Sequence, residues 1–115
     1  MKERPAAILL ADILNCIDKI SAYTEGLDEA AFLQSDIVQD AVARNIGVIG
    51  EAVTKLQKKA PELIASTPNI PWHFARGMRH VIVHDYGTVN YSRVWQTIRE
   101  DLPKFRAQIA ALPKT

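Results

Sequence analysis

The chain has 115 residues, a length that fits one domain with a single buried core. Its apolar fraction of 48% and charged fraction of 23% are ordinary for a globular protein. The formal net charge of +1 excludes a polycation, so any attraction to nucleic acid has to come from a local cluster of positive charge.

The cysteine content and the N-terminal segment indicate the cellular compartment in which the protein is expected. Cys16 is the only cysteine, which excludes an internal disulfide and a cysteine-rich zinc site and favours a reducing compartment. The apolar run that starts at Ala6 is interrupted by Asp12, Asn15 and Asp18. We therefore expect neither a signal peptide nor a membrane span, and the cytoplasm is the expected location.

The first predicted helix runs from about Arg4 to Tyr23. Its apolar residues recur at steps of four, three and four on one face: Leu9, Ile13, Cys16 and Ile20. Gly26 can take the left-handed conformation that ends a helix. A short link over 27–34 follows, in which one helical turn starting at Asp28 is expected.

A second, longer helix is predicted to begin after Ser35, a good N-cap residue. Its apolar face keeps a helical register over five turns: Val38, Val42, Ile46, Ile49, Val53 and Leu56. A second stripe on this helix contains Asp40, Arg44, Gly47 and Glu51. Pro61 and the segment 66–68 are expected to close the region.

The remaining chain predicts two further helices. Pro71 can occupy the first turn of the third helix, Gly87 is expected to break it, and Asn90 can cap the last helix. Pro103 should kink or restart that last helix, because proline removes one hydrogen bond of the ladder. No segment alternates with a period of two. We therefore predict one all-α domain over 1–115, an antiparallel four-helix bundle with an extra short helix.

The segment 73–84 concentrates positive charge. It contains no acidic residue. Its two arginines and three histidines are His73, Arg76, Arg79, His80 and His84. On a continuous helix all of these except Arg79 fall on one stripe, at steps of three, four and four. Any one of them alone fits a solvated polar face. Together they favour a surface that binds phosphate.

An arginine beside a histidine suits the cleavage of RNA by its own 2′-hydroxyl. Histidine can transfer protons near neutral pH, and a guanidinium can stabilise the charge that develops on the phosphate. Arg79 and His84 are five residues apart, about 140° around a helix, so they converge poorly if the helix continues through both. We expect either that the helix ends near His84 or that a symmetric dimer completes the site.

Two other kinds of site have less support. His80 and His84 have the i, i+4 spacing of zinc-binding helix pairs, with Asp85 adjacent, but the glutamate of the His-Glu-x-x-His motif is missing. Cys16 lies on an apolar helical face, which is typical of a core residue rather than a nucleophile. We expect no metal site and no cofactor.

The pattern Arg79-x4-His84-x-Tyr86 resembles the signature of the HepT-like toxin family of the HEPN superfamily. The resemblance covers nearly the whole chain. Asn45-Ile-Gly-Val-Ile-Gly-Glu-Ala52 resembles the second long helix of the family, and Gly77-Met78 leads into the motif as expected. Trp95 followed by Asp101-Leu-Pro103 resembles its last helix.

The resemblance implies a helical bundle that dimerises and a metal-independent endoribonuclease toxin of a type VII-like toxin–antitoxin system. Arg79 and His84 would be catalytic at a dimer cleft. A minimal nucleotidyltransferase antitoxin would use ATP to adenylylate Tyr86, placing bulk and negative charge beside groups meant for RNA phosphate. The alternative is a non-catalytic helical module that binds nucleotide or docks a nucleotidyltransferase.

Further residues are candidates for a supporting role. His80 and Arg76 extend the positive stripe, while Glu51 or Asp40 could orient the catalytic pair across the bundle, with Arg44 on the same stripe. These last three equally fit a solvated helix face with one intrahelical ion pair. Gly47 and Gly50 each cost about 1 kcal/mol relative to alanine within a helix, which predicts a close approach there, inside the bundle or at a dimer contact.

Overall fold

The computed structural model describes residues 5–84 and 89–113, with the side chains of Val81, Val83 and His84 outside the description. Seven α-helices are present in this part of the chain: α1 (Ala6–Thr24), α2 (Glu29–Leu33), α3 (Asp36–Lys59), α4 (Pro61–Ser66), α5 (Trp72–His84), α6 (Tyr91–Gln96) and α7 (Leu102–Ala110). The described residues contain no strand, so the predicted all-α class is confirmed. None of these helices is long and apolar enough to cross a membrane.

Local capping chemistry sets where the helices begin. Asp28, Ser35 and Asn90 each accept a hydrogen bond from the backbone N–H three residues later, at 2.8–3.2 Å. These bonds satisfy N–H groups that have no partner within the helix. Gly26 follows α1 with a φ of 78°, as predicted for a glycine that ends a helix.

Pro103 restarts the last helix, which is one of the two predicted outcomes. Residues Thr97–Asp101 form a π-helical segment that joins α6 to α7. At its end the N–H of Leu102 bonds to the carbonyl of Thr97, five residues back. The wider turn removes the need for an N–H at Pro103, which lies in the first turn of α7.

The core lies where α3 packs between α1 and α5. Its largest fully buried side chains come from α1, α2, α3, α6 and α7: Phe32, Phe105, Ile13, Ile17, Ile20, Leu56, Val42, Val53 and Val94. Phe32 packs against Trp95 and Tyr91, with ring centroids 5.2 and 6.0 Å apart. The short helix α2 therefore anchors the C-terminal half of the bundle to the loop between α1 and α3.

Two boundaries differ from the sequence prediction. Pro61 does not only follow α3 but begins α4, where its missing N–H costs nothing. Pro71 precedes α5 instead of lying in its first turn, and its carbonyl accepts a hydrogen bond from the N–H of Phe74. Both differences concern the position of a proline relative to the first residue of a helix.

An ion pair joins the first helix to the last. Arg106 contacts both carboxylate oxygens of Asp18, at 2.6 and 3.1 Å. The hydrogen bonds from Arg106 lower the pKa of the Asp18 carboxyl. The stabilisation is therefore present at neutral pH and is lost as the pH falls through that lowered pKa. Because both side chains are about half exposed, the contribution to stability is modest.

Candidate active site

Arg79 lies where α5 comes closest to α3. A methyl group at Gly50 would overlap the Cβ of Arg79 and lie 2.9 Å from its Cδ and 3.1 Å from the carbonyl oxygen of Ala75. The absence of a side chain at Gly50 therefore lets the two helices meet and half-buries Arg79 between them. The close approach predicted at Gly50 is confirmed. Gly47 has no described atom within 4 Å of the position its Cβ would occupy, so no such approach exists there within one copy.

The positively charged end of Arg79 has no partner among the residues that the structure describes. Its guanidinium makes no hydrogen bond or ion pair with any residue in the described part of the chain. The aliphatic stem is held against Gly50 while the charged group is left to bind something else. A guanidinium held in this way can bind an anion through parallel N–H donors.

An open groove of about 490 Å³ runs beside Arg79 along α5. It is lined by Thr54, His73, Arg76, Gly77, Arg79 and His80. None of these six residues is acidic, and two are arginines. The structure thus brings four of the five residues of the predicted positive cluster to one groove, which hereafter is called the α5 groove.

The wall that α3 contributes to the α5 groove is uncharged. Thr54 lies in the groove and donates its hydroxyl hydrogen to the carbonyl of Gly50 at 3.0 Å. Gln57, one turn further along, accepts a hydrogen bond of 3.0 Å from the guanidinium of Arg76. Neither Thr54 nor Gln57 was predicted from the sequence. Their spacing from Gly50, by four and then three residues, was the available signal that they share its face of α3.

The second catalytic candidate is placed only by its backbone. His84 is the last residue of α5, and its side chain lies outside the description. Since the helix runs through both residues, position 84 is about 140° around the axis from Arg79. It follows His80 one turn along the same stripe. Whether the helix ends near His84 remains a prediction, because residues 85–88 lie outside the described residues.

Two further residues with a predicted role fall in that gap. Tyr86, the expected acceptor of AMP, lies outside the described residues. Asp85, the third candidate ligand of the alternative metal site, does so as well. Both therefore stay predictions.

The α3 stripe of Asp40, Arg44 and Glu51 is exposed, and none of the hydrogen bonds or ion pairs among the described residues joins it to Arg79. Glu51 pairs with Lys55 at 3.1 Å, the solvated intrahelical arrangement, although with a different partner from the expected Arg44. Asp40 lies near Tyr91, where partial burial and the Asp40 charge together raise the pKa of the phenol. A supporting role for these residues stays a prediction.

The comparison with protein families matches residues 13–112 of the chain to the HepT-like family, described as "Ribonuclease HepT-like". This chain belongs to the HepT-like family. The match spans α1 from its middle to the end of α7, and it contains every residue of the α5 groove.

Individual relatives align with this chain over nearly their full length, in agreement with the family match. A candidate RNase of Methanocaldococcus jannaschii is 33% identical over 114 residues, covering 99% of this chain and 96% of the relative. A second candidate RNase of that organism is 32% identical, also over 114 residues, covering 99% and 92%. A protein of Thermococcus cleftensis named "Probable ribonuclease HepT" is 31% identical over 105 residues, covering 91% and 93%. No solved structure matches the chain.

Proposed function

We propose that this HepT-like chain is a metal-independent endoribonuclease toxin in which Arg79 and His84 cleave RNA. The observation that carries the proposal is the placement of Arg79. Its stem is fixed against Gly50, its guanidinium is unpaired among the described residues, and none of the described residues that line the groove beside it is acidic. Membership of the HepT-like family supports the same reaction.

The reaction uses a nucleophile that the substrate already contains. A neutral imidazole of His84 takes the proton of a ribose 2′-hydroxyl, whose oxygen then attacks the adjacent phosphorus. Arg79 stabilises the negative charge on the phosphorane oxygens. The bond to the 5′-oxygen breaks, and that oxygen takes a proton from an imidazolium. The products are a 2′,3′-cyclic phosphate and a 5′-hydroxyl.

A second copy of the chain is part of this proposal. Within one copy Arg79 and position 84 lie on different sides of α5, and one histidine would have to serve as both base and acid. A two-fold dimer that faces two α5 grooves toward each other would supply two arginines and two histidines to one cleft. The molar mass of the protein in solution, by light scattering, should be that of two chains.

The function is tested by incubating the purified protein with RNA in excess EDTA and analysing the ends of the products. We expect cleavage that is insensitive to the chelator, with 2′,3′-cyclic phosphate ends, and none where a single 2′-deoxy nucleotide replaces the cleaved position. Cleavage that needs a divalent cation would contradict the mechanism. Intact RNA together with measurable ATP binding would favour the non-catalytic module instead.

We also propose that Tyr86 controls the site. Its phenol oxygen would attack the α-phosphorus of ATP on a minimal nucleotidyltransferase of the antitoxin type, with pyrophosphate leaving and the phenol proton lost to solvent. The AMP group adds a negative phosphate two residues from His84 and should repel RNA from the cleft.

This control is tested with the parent protein and Tyr86→Phe, each incubated with ATP and the nucleotidyltransferase. The intact mass of the parent should rise by one or more AMP groups and its RNA cleavage should fall. The phenylalanine variant, which lacks the acceptor hydroxyl, should keep both its mass and its activity. Equal gain of AMP by the two proteins would show that another residue is the acceptor.

A further inference from the structure

We infer that His73 and Arg76 form a second phosphate subsite, which holds the RNA strand beside the phosphate being cleaved. The inference rests on the proposed function, in which the cleaved phosphate binds at Arg79. It places the strand that leads to Arg79 along the α5 groove. The ligand is the sugar–phosphate backbone of a single RNA strand. His73 and Arg76 would be binding residues that do not touch the reacting atoms.

The charge of the groove supports a polyanion as its ligand. The part of its lining that the structure describes contains Arg76 and Arg79 with two histidines, and no carboxylate. The exposed stripe on α3 is a useful comparison, because there Asp40, Arg44, Glu51 and Lys55 alternate in sign. A solvated helix face is usually of that mixed kind. The described lining of the α5 groove differs from it in carrying one sign of charge.

Arg76 is directed by a neutral partner, which leaves its charge available. The side-chain oxygen of Gln57 accepts one hydrogen bond from the guanidinium of Arg76, at 3.0 Å. An acidic residue in the place of Gln57 would neutralise this arginine, whereas an amide orients it without cancelling its charge. The remaining N–H donors of an arginine can bind phosphate oxygens.

The dimensions of the groove fit a short stretch of strand. From His73 to His80 the helix rises about 10 Å. A nucleic acid strand advances about 3.4 Å per nucleotide along a duplex axis, so the groove spans roughly two or three nucleotides. Arg76 is one turn from Arg79, toward the N-terminus of α5, so it can hold the phosphate next to the one that Arg79 binds. His73, one turn further, lies at the positive end of the helix dipole.

The test compares Arg76→Gln with Arg93→Gln, an exposed arginine on α6 outside the groove. Steady-state cleavage of a short oligoribonucleotide should show a KM about threefold to tenfold higher for Arg76→Gln, with kcat within about twofold of the parent. Arg76→Lys should recover most of the loss, since a lysine also binds phosphate. Arg93→Gln should match the parent.

A binding measurement separates failure of this inference from failure of the proposed function. A fluorescent 2′-O-methyl oligoribonucleotide cannot be cleaved, and its affinity is measured by anisotropy over a range of salt concentrations. The slope of log K against log salt is negative, and loss of one phosphate contact in Arg76→Gln should reduce its magnitude by about 0.7.

The outcomes are distinct. Equal affinity and equal salt slope for the parent and Arg76→Gln would overturn the subsite, whether or not the parent cleaves RNA. A parent that binds the oligonucleotide through Arg76 but does not cleave RNA would overturn the proposed nuclease activity and leave the subsite standing. A fall in kcat with unchanged KM would move Arg76 into the catalytic machinery and contradict its role as a binding residue.

Discussion

The position of Arg79 depends on a residue without a side chain. Gly50 lies opposite the Cβ of Arg79, and no larger residue fits between α3 and α5 at that point. A glycine within a helix costs about 1 kcal/mol relative to alanine. At Gly50 the cost is offset by a close helix contact that fixes the arginine. Gly47, on the same helix, lacks such a contact among the described atoms.

These two glycines form a matched pair for mutation. Gly50→Ala should destabilise the protein by about 1–2 kcal/mol, because the overlap with Arg79 outweighs the gain in helix propensity. It should also lower RNA cleavage by shifting the guanidinium. Gly47→Ala adds the same methyl group in open space and should stabilise the protein by up to about 1 kcal/mol.

Urea unfolding monitored by circular dichroism gives both free energies of unfolding. A Gly50→Ala variant as stable as Gly47→Ala, with full cleavage activity, would show that the helix contact at Gly50 does not position Arg79.

Among the features of the helices, the sequence predicts those that depend on local chemistry alone. Ser35 and Asn90 could be identified as caps because a cap depends only on a side chain and an N–H three residues away. The restart at Pro103 was predictable for a similar reason, since the missing N–H belongs to the residue itself. The existence of α4 was missed, because a six-residue helix has too few turns to show a period.

Contacts between elements were harder to predict. The packing of Phe32 against Trp95 joins residues 63 positions apart, and nothing in a short window of sequence indicates it. The same applies to the site. The motif indicated Arg79, but Thr54 lines the groove and Gln57 bonds to Arg76 only through the register in which α3 meets α5. Gly47 and Gly50 were the local signs of a close approach, and of the two Gly50 marks where that register is set.

At the scale of the whole molecule, the charge is nearly balanced but unevenly distributed. The formal net charge is +1, while the side chains of fixed charge among the described lining residues of the α5 groove are both arginines. The net charge of the chain could therefore not reveal the groove. The local sequence of segment 73–84 already separates these arginines from acidic residues, and the fold turns one face of α5 to solvent beside a neutral wall.

We propose that Arg79 and His84 carry out the cleavage. The most direct measurement is the rate constant for RNA cleavage by Arg79→Ala and by His84→Ala, with Arg93→Ala as the control for loss of one surface charge. We predict that each of the first two loses at least about 100-fold in rate. Their helical circular dichroism should match the parent, since Arg79→Ala keeps the Cβ that meets Gly50. If either variant cleaves RNA as fast as the parent and Arg93→Ala, the assignment of the catalytic pair is wrong.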